Sequence, residues 1–360
     1  MMLRGTIMPL LCLLFFLWLP IAMLPAAEPA AAPAPGQVFF VHETSSVLPG
    51  GKVSPTAVGR MVDALILSVT NQPDLRRAWL SLVSPEDVVG IKVSTGGRAV
   101  SGTRLEVVLA VIQGLNTAGI PADRIVVWDR NQEDLLAAGY STKDPRYRLE
   151  WIDPRTGYDT DAILTAPVLG RLIWGDRSFG DRTESRLVDI LSTGDQLSSK
   201  SHFAKILSRT VTKVINVASL QDSFMTGING AMASMTLHNI DNWRRFTKPP
   251  HHGDPYIAEI FFDSMIREKV VLNLLDGLFM QYAGGPFPHP NFTIEHHMLL
   301  ASLDPVALDA SGRKFIDDQR LLNRLPPVRD YSGYLESAEY YGLGTANEQK
   351  IQLIRVHPGG

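Results

Sequence analysis

The sequence holds a single cysteine in 360 residues, Cys12, and that residue falls inside an N-terminal apolar run. The chain beyond it therefore has no disulfide, no thiolate nucleophile and no cysteine-ligated zinc or iron–sulfur cluster. No C-x-x-C-H is present to hold a haem. Neither G-x-G-x-x-G nor a Walker lysine loop is present, so a nucleotide cofactor has no support. An excess of one charge is lacking too: 34 Lys and Arg face 37 Asp and Glu, a net charge of −3. That balance argues against nucleic acid or an anionic membrane surface as a partner.

Long apolar runs are confined to the N-terminus. Arg4 precedes the stretch from Leu10 to Leu24, which Pro20 interrupts and PAAEPAAAPAPG follows. A short basic region, an apolar region and a small-residue cleavage zone predict a Sec-type signal peptide over residues 1–27 and an Ala/Pro-rich leader over 28–36. The expected mature protein is periplasmic or extracellular, with no integral membrane span after cleavage, since the run is short for a bilayer crossing.

From residue 37 to 360 strand-like and helix-like patterns alternate. VFFVH (38–42), DVVGIKVS (87–94), RIVVWD (124–129), RLEWID (148–153), KVINVAS (213–219) and KVVLNLLDG (269–277) predict strands. Helical spacing covers 55–69, 132–138 and 257–266, and Thr103 with Glu106 forms a capping-box pattern opening a helix that runs to Ala118. Near-continuous Val/Ile/Leu strands separated by helices predict an α/β domain with a mostly parallel sheet and helices on both faces. In such sheets ligands bind beyond the carboxyl ends of the strands. Polar residues end the apolar runs at Lys92, Ser94, Asp129, Arg130, Asn216 and Asp276, and Asp304 ends a fifth, which points to one shared rim.

Two loops gather histidines: His251 and His252 in PPHHGDP, and His289, His296 and His297 in PFPHPNFTIEHH. Imidazoles beside Asp254, Asp276 or Asp304 suit a divalent metal, with His252 and His297 the candidate ligands. Adjacent residues on an extended strand point to opposite faces, so each pair offers one inward ring. Between the loops, Trp243 and Phe246 interleave with Arg244, Arg245 and Lys248, a pattern suited to clamping a small anion. Asn229, between Gly227 and Gly230, lies where the backbone can approach a ligand closely.

The segment LLASLDPVALDASG (299–312) carries two more carboxylates. Asp304 reads as an N-cap with Pro305 in the first helical position. Asp309 has no capping role in its own helix, and five residues at 100° each put it about 140° around from Asp304. It is either a solvent-facing residue or an inward one; the expectation is inward, with Lys92 or Arg313 as its partner.

Together VVGIKVSTGG, TRLEVVLAVIQGLNTAG, RIVVWDRN, TKVINVASLQDSFMTGINGAM, KVVLNLLDGLF and LLASLDPVALDASG resemble the DUF362 family over roughly Asp87 to Asp318. The resemblance implies a shared fold in a bacterial and archaeal family without an established general activity, some of whose members are associated with iron–sulfur clusters. No cluster is expected in a chain without cysteine beyond residue 12. Two departures stand out: family members commonly carry a lysine and a histidine where this chain has Gln221-Asp222-Ser223, and a Lys-Asn pair at about Ala233-Ser234. A later family histidine corresponds to His251 or His252.

Two functional readings follow. One is an exported enzyme, metal-assisted or acid–base, acting on a small anionic substrate with Asp309, Asp304, Asp276 and His252 as its working groups. Lys92, Asp129, Asn216, Asn229, Arg244 and Arg245 would then bind the ligand. The other is a non-catalytic ligand-binding or interaction protein of the envelope.

Overall fold

The computed structural model describes residues 36–164, 173–174, 197–198 and 201–358. The expected signal peptide, the leader up to residue 35 and most of 165–200 lie outside them. No helix among the described residues is long and apolar enough to cross a membrane.

Eleven strands matter here: β1 (Gln37–His42), β2 (Val89–Val93), β3 (Ile125–Asp129), β4 (Arg148–Trp151), β5 (Tyr158–Ile163), β6 (His202–Ala204), β7 (Lys213–Ser223), β8 (Gly227–Ile228), β9 (Val270–Gln281), β10 (Thr293–Ser302) and β11 (Gln352–Arg355). The large sheet has the order β11-β1-β10-β9-β7-β2-β3-β4, with β8 paired to β7 off that path. Every neighbouring pair along it is parallel except those of β10, which runs antiparallel to both β1 and β9. β5 and β6 form a separate antiparallel pair.

Each strand feeds two cores, because successive side chains leave opposite faces. Val127, Val217, Leu274 and Leu299 enter one core, and their neighbours Trp128, Ala218, Leu275 and Leu300 enter the other. The first core is closed by α1 (Pro55–Thr70), α2 (Leu75–Leu80) and α4 (Leu105–Thr117), which follows the short α3 (Arg98–Ser101); α5 (Gln132–Ala137) adds Leu135. The second is closed by α6 (Ala231–Met235), α7 (Tyr256–Phe262), α9 (Pro305–Leu322) and α10 (Tyr334–Tyr340), with α8 (Ser264–Arg267) after α7. The 3.6-residue spacing of α1 explains its placement: Val58, Met61, Val62, Leu65, Ile66 and Val69 are all buried. Ser54 caps its start ahead of Pro55, and Asn71 in the left-handed region ends it. α2 and α4 meet at Gly114, where an added Cβ would lie 2.1 Å from Nε1 of the buried Trp79.

Four local expectations are corrected. The Thr103–Glu106 capping box does not form: α4 starts at Leu105, and Thr103 Oγ1 instead accepts from Ser94 N (3.0 Å) and donates to Val217 O (2.8 Å). The helix over 257–266 breaks at Asp263, whose side chain caps Met265 N. The strands at 213–219 and 269–277 run on to Ser223 and Gln281. The fourth correction concerns Asp304. Because β10 is antiparallel, its C-terminal end lies at the edge where β1 begins, opposite the carboxyl ends of β2, β3, β7 and β9. Asp304 therefore does not belong to the expected rim, and its candidate catalytic role is withdrawn.

Asp304 does what its local sequence predicts, and more. It caps α9 through Val306 N (3.0 Å) and Ala307 N (2.8 Å). It also accepts from Gly36 N (3.0 Å) and Thr345 N (3.1 Å), tying both ends of the domain to this helix. Asp304→Ala is expected to cost about 3 kcal/mol, more than the ~1 kcal/mol of a lost cap, because two further buried amides lose their partner. Urea denaturation measures this; a loss below about 1 kcal/mol would show that those amides are satisfied otherwise.

Candidate functional site

Lys92, Asn216 and Asn273 pair in register across β2, β7 and β9, and Trp128 of β3 lies beside Lys92. Paired residues share a face, so an otherwise apolar sheet carries a polar row beneath α6. Lys92 is fully buried. Its ammonium donates to Asp129 Oδ1 (2.7 Å) and Val93 O (2.7 Å), and lies 3.5 Å from Ser234 Oγ. Asp129 ends β3 and also accepts from Arg130 N (2.8 Å), Thr95 N (2.7 Å) and Thr95 Oγ1 (2.7 Å). Ser94 Oγ donates to Ser234 Oγ at 3.2 Å. Burial alone would raise the Asp129 carboxyl, but Lys92 and these donors outweigh it and hold the group well below the usual carboxylate range. The pair is a buried cation and anion with their hydrogen bonds satisfied, the condition under which buried charge is tolerable.

The loop after α6 closes over this pair. Asn239 accepts from Trp128 Nε1 (2.9 Å) and donates to Ser234 O (3.1 Å) and Met235 O (3.0 Å). Arg130 donates to Leu237 O (2.5 Å) and Ile240 O (2.7 Å), with its guanidinium 5.0 Å from the Trp243 ring. His238 lies in this loop, half-buried, within electrostatic reach of Lys92, Asp129 and Arg130. Burial first, then the Lys92 charge, push its imidazole down to about 3, with Asp129 opposing. His238 is thus neutral at physiological pH. Sequence reasoning passed over it, because a lone histidine outside the two histidine-rich loops carries no spacing signal.

The family's sequence profile, that of a domain of unknown function, matches residues 89–314. This chain belongs to the DUF362 family. No curated protein matches it. The chain is similar to a protein from Thermotoga maritima with a solved crystal structure, at 10% identity and a TM-score of 0.37, over 81% of this chain and 60% of that one. Of the two departures that the resemblance implies, the one at about Ala233-Ser234 places Ser234 within the site just described. Gln221-Asp222-Ser223 lies in a neighbouring network in which Asp222 accepts from Gly285 N (2.9 Å) and faces Arg320 (3.6 Å). Burial raises the Asp222 carboxyl to about 6, against the Gly285 amide and Arg320.

The other candidate residues are dispersed over the DUF362 fold. Asn216 bridges Asn273 Oδ1 (3.0 Å) and Ala231 O (2.9 Å) beside Lys92. Asn229 joins the neighbouring network through Gln221 Oε1 (3.4 Å). Asp276 is at the expected edge but on the opposite face, where it accepts from Arg104 N (2.7 Å) at the start of α4 and from Leu278 N (3.1 Å). Burial, opposed by those amides, raises its carboxyl. Asp309 is fully buried, and its partners are neither Lys92 nor Arg313 but Ala231 N (2.6 Å) and Met232 N (3.0 Å). Arg313 pairs instead with Glu348 (3.3 Å) and Glu336 (3.6 Å).

His252 packs on Tyr331 with ring centroids 4.7 Å apart, whereas His297 meets His42 edge-on at 6.2 Å and lies 3.9 Å from Glu295. Among the described residues no group of three or more His, Cys, Asp or Glu is placed to hold a metal ion. Arg245 turns inward to Ser201 Oγ (2.6 Å), while Arg244 stays partly exposed with its guanidinium 4.9 Å from the Trp243 ring. Open clefts of about 480 and 290 Å³ are lined by α9, α10 and the C-terminal segment, including Glu336, Glu348, Lys314 and Leu353, and neither touches Lys92. Chemistry, rather than concavity, singles out the Lys92 site.

The neutral His238 has a measurable signature. Its folded value lies below the ordinary 6.5, so its contribution to stability is present above 6.5 and lost as pH falls toward about 3. The ring resonances of His238 are expected not to titrate between about pH 5 and 8, and His238→Gln should lose less stability than wild type on acidification to pH 4.5, by about 1–2 kcal/mol. An NMR titration midpoint near 6.5 would mean that the ring is solvated and the site is not closed as described.

Proposed function

We propose that this DUF362 chain is an exported acid–base enzyme for a small anionic substrate, working at the carboxyl edge of β2, β3 and β7. The observation that carries the reading is a fully buried Lys92–Asp129 pair beneath a histidine kept neutral. An anion bound beside Lys92 and Arg130 offsets the two charges that, after burial, hold the imidazole low, so binding itself raises the proton affinity of His238 and lets it take a proton from that substrate. Asp129 then orients Lys92 instead of reacting. The partly exposed Arg244, stacked on Trp243, supplies a planar donor suited to carboxylate or phosphate. The groups that meet at this edge are proton donors and acceptors, which is why the reading is an acid–base one. Export rests on the Arg4 and Leu10–Leu24 pattern.

A panel of small carboxylates and phosphate esters, screened by thermal shift and then by proton NMR for turnover, tests this. At least one anion should bind; Arg244→Gln should weaken it about tenfold, and His238→Gln should cut turnover by about 100-fold with affinity little changed. Binding unaffected by either substitution would place the ligand elsewhere. Binding without turnover would assign the chain to the non-catalytic ligand-binding alternative.

A further inference from the structure

The segment that carries Ser234 and His238 is held by a carboxylate with no cation in contact. α6 has five residues, all of them buried. A helix this short has no stability of its own, so its position depends on what grips its ends. At its start, Ala231 N and Met232 N donate to the two separate oxygens of Asp309, at 2.6 and 3.0 Å. The approach is close enough that a Cβ on Gly230 would lie 2.2 Å from Asp309 Oδ1. At its far end Asn239 holds Ser234 O and Met235 O. Between these grips Ser234 meets Lys92 and Ser94, and His238 follows three residues after the helix.

We propose that Asp309 is a proton-operated clamp on the Lys92–Asp129–His238 site: ionised, it holds α6 and with it Ser234 and His238; protonated, it releases them. The inference rests on reading that site as functional. Its chemistry is elementary. A carboxylate accepts at both oxygens, whereas a carboxylic acid keeps one good acceptor and turns the other oxygen into a donor. Protonation therefore takes the acceptor from one of the two α6 amides.

The groups around Asp309 do not compensate its charge. From α6 come only the two amides. From α10 comes Tyr334, whose fully buried hydroxyl has no hydrogen-bond partner among the described residues. On α9 itself Arg313 is engaged by Glu336 and Glu348. Burial accordingly pushes the Asp309 carboxyl up to about 7, against the two amides. With the folded value above the unfolded one, its contribution to global stability is fully present below the ordinary value near 3.8 and lost as pH rises through about 7. Lowering the pH thus favours the fold as a whole while loosening α6, two effects of opposite sign.

Amide hydrogen exchange on the mature chain at pH 8 and pH 6, corrected for intrinsic rates, separates them. In the wild type, amides of 231–238 should lose about tenfold in protection at pH 6 while β7 and β9 do not. In Asp309→Asn the protection of 231–238 should be the same at both pH values. The wild-type contrast, with the Asp309 carboxyl resonance followed by carbon-13 NMR, decides the matter even if the variant does not fold. Equal protection of 231–238 in the wild type at both pH values, or a pH dependence retained in Asp309→Asn, overturns the proposal. No ligand is needed for this readout, so failure of the enzymatic reading would show separately, in the anion screen.

Discussion

A helix that begins inside a protein presents amides that water cannot reach, and this constraint organises the domain. The first N–H groups of any helix lack partners within it. Here α6 and α9 start in buried surroundings, and each start is met by an aspartate. Asp309 comes from α9 to α6 and Asp304 serves its own helix, while Asp276 of β9 accepts from Arg104 N just ahead of α4. Burial raises all three carboxyls against the opposing pull of the amides. Each aspartate also ties two elements together, so the helices are located by polar bonds as well as by packing. The cost of burying a carboxylate is offset by amides that would otherwise be buried without partners.

Lys92 and Asp129 belong to a different class. They satisfy each other across neighbouring parallel strands, and Thr95, Ser94 and Ser234 complete the hydrogen bonding. Removing either partner would strand a charge in the interior, whereas an apolar pair of similar volume would be better tolerated. Stability alone therefore gives little reason to keep two charges there. Their placement at the carboxyl edge, under a loop bearing a neutral histidine and the partly exposed Arg244, supplies a chemical one.

Asp304 and Asp309 show what kind of information was legible in the chain. Asp304 followed by Pro305 is a local signal, and the cap it predicts is present. Asp309 carries no local signal beyond its angle around the helix. That angle separates the two carboxylates correctly but cannot name the amides of a segment almost eighty residues earlier, at Ala231 and Met232. The same limit explains Thr103: its capping-box pattern is genuine, yet Val217 and Ser94 compete successfully for its hydroxyl, and Asp276 takes Arg104 N just ahead of the helix. His238 left no pattern at all. Its significance arises from Lys92 and Asp129, which are remote in sequence.

The sequence by itself determined the alternation of strands and helices, the two-sided burial of the sheet, the polar residues that end β2 and β3, and membership of the DUF362 family. These depend on periodicity, capping and apolar runs, all of which act within a few residues. Only the tertiary structure decided which polar residues meet. A single antiparallel strand, β10, sent Asp304 to the far edge; strand alternation sent Asp276 to the other face; and α6 brought Ser234 and His238 to Lys92. Strand direction and facing are properties of the assembled sheet, since hydrogen bonds between strands link residues far apart in the chain. Periodicity within one segment carries no record of them.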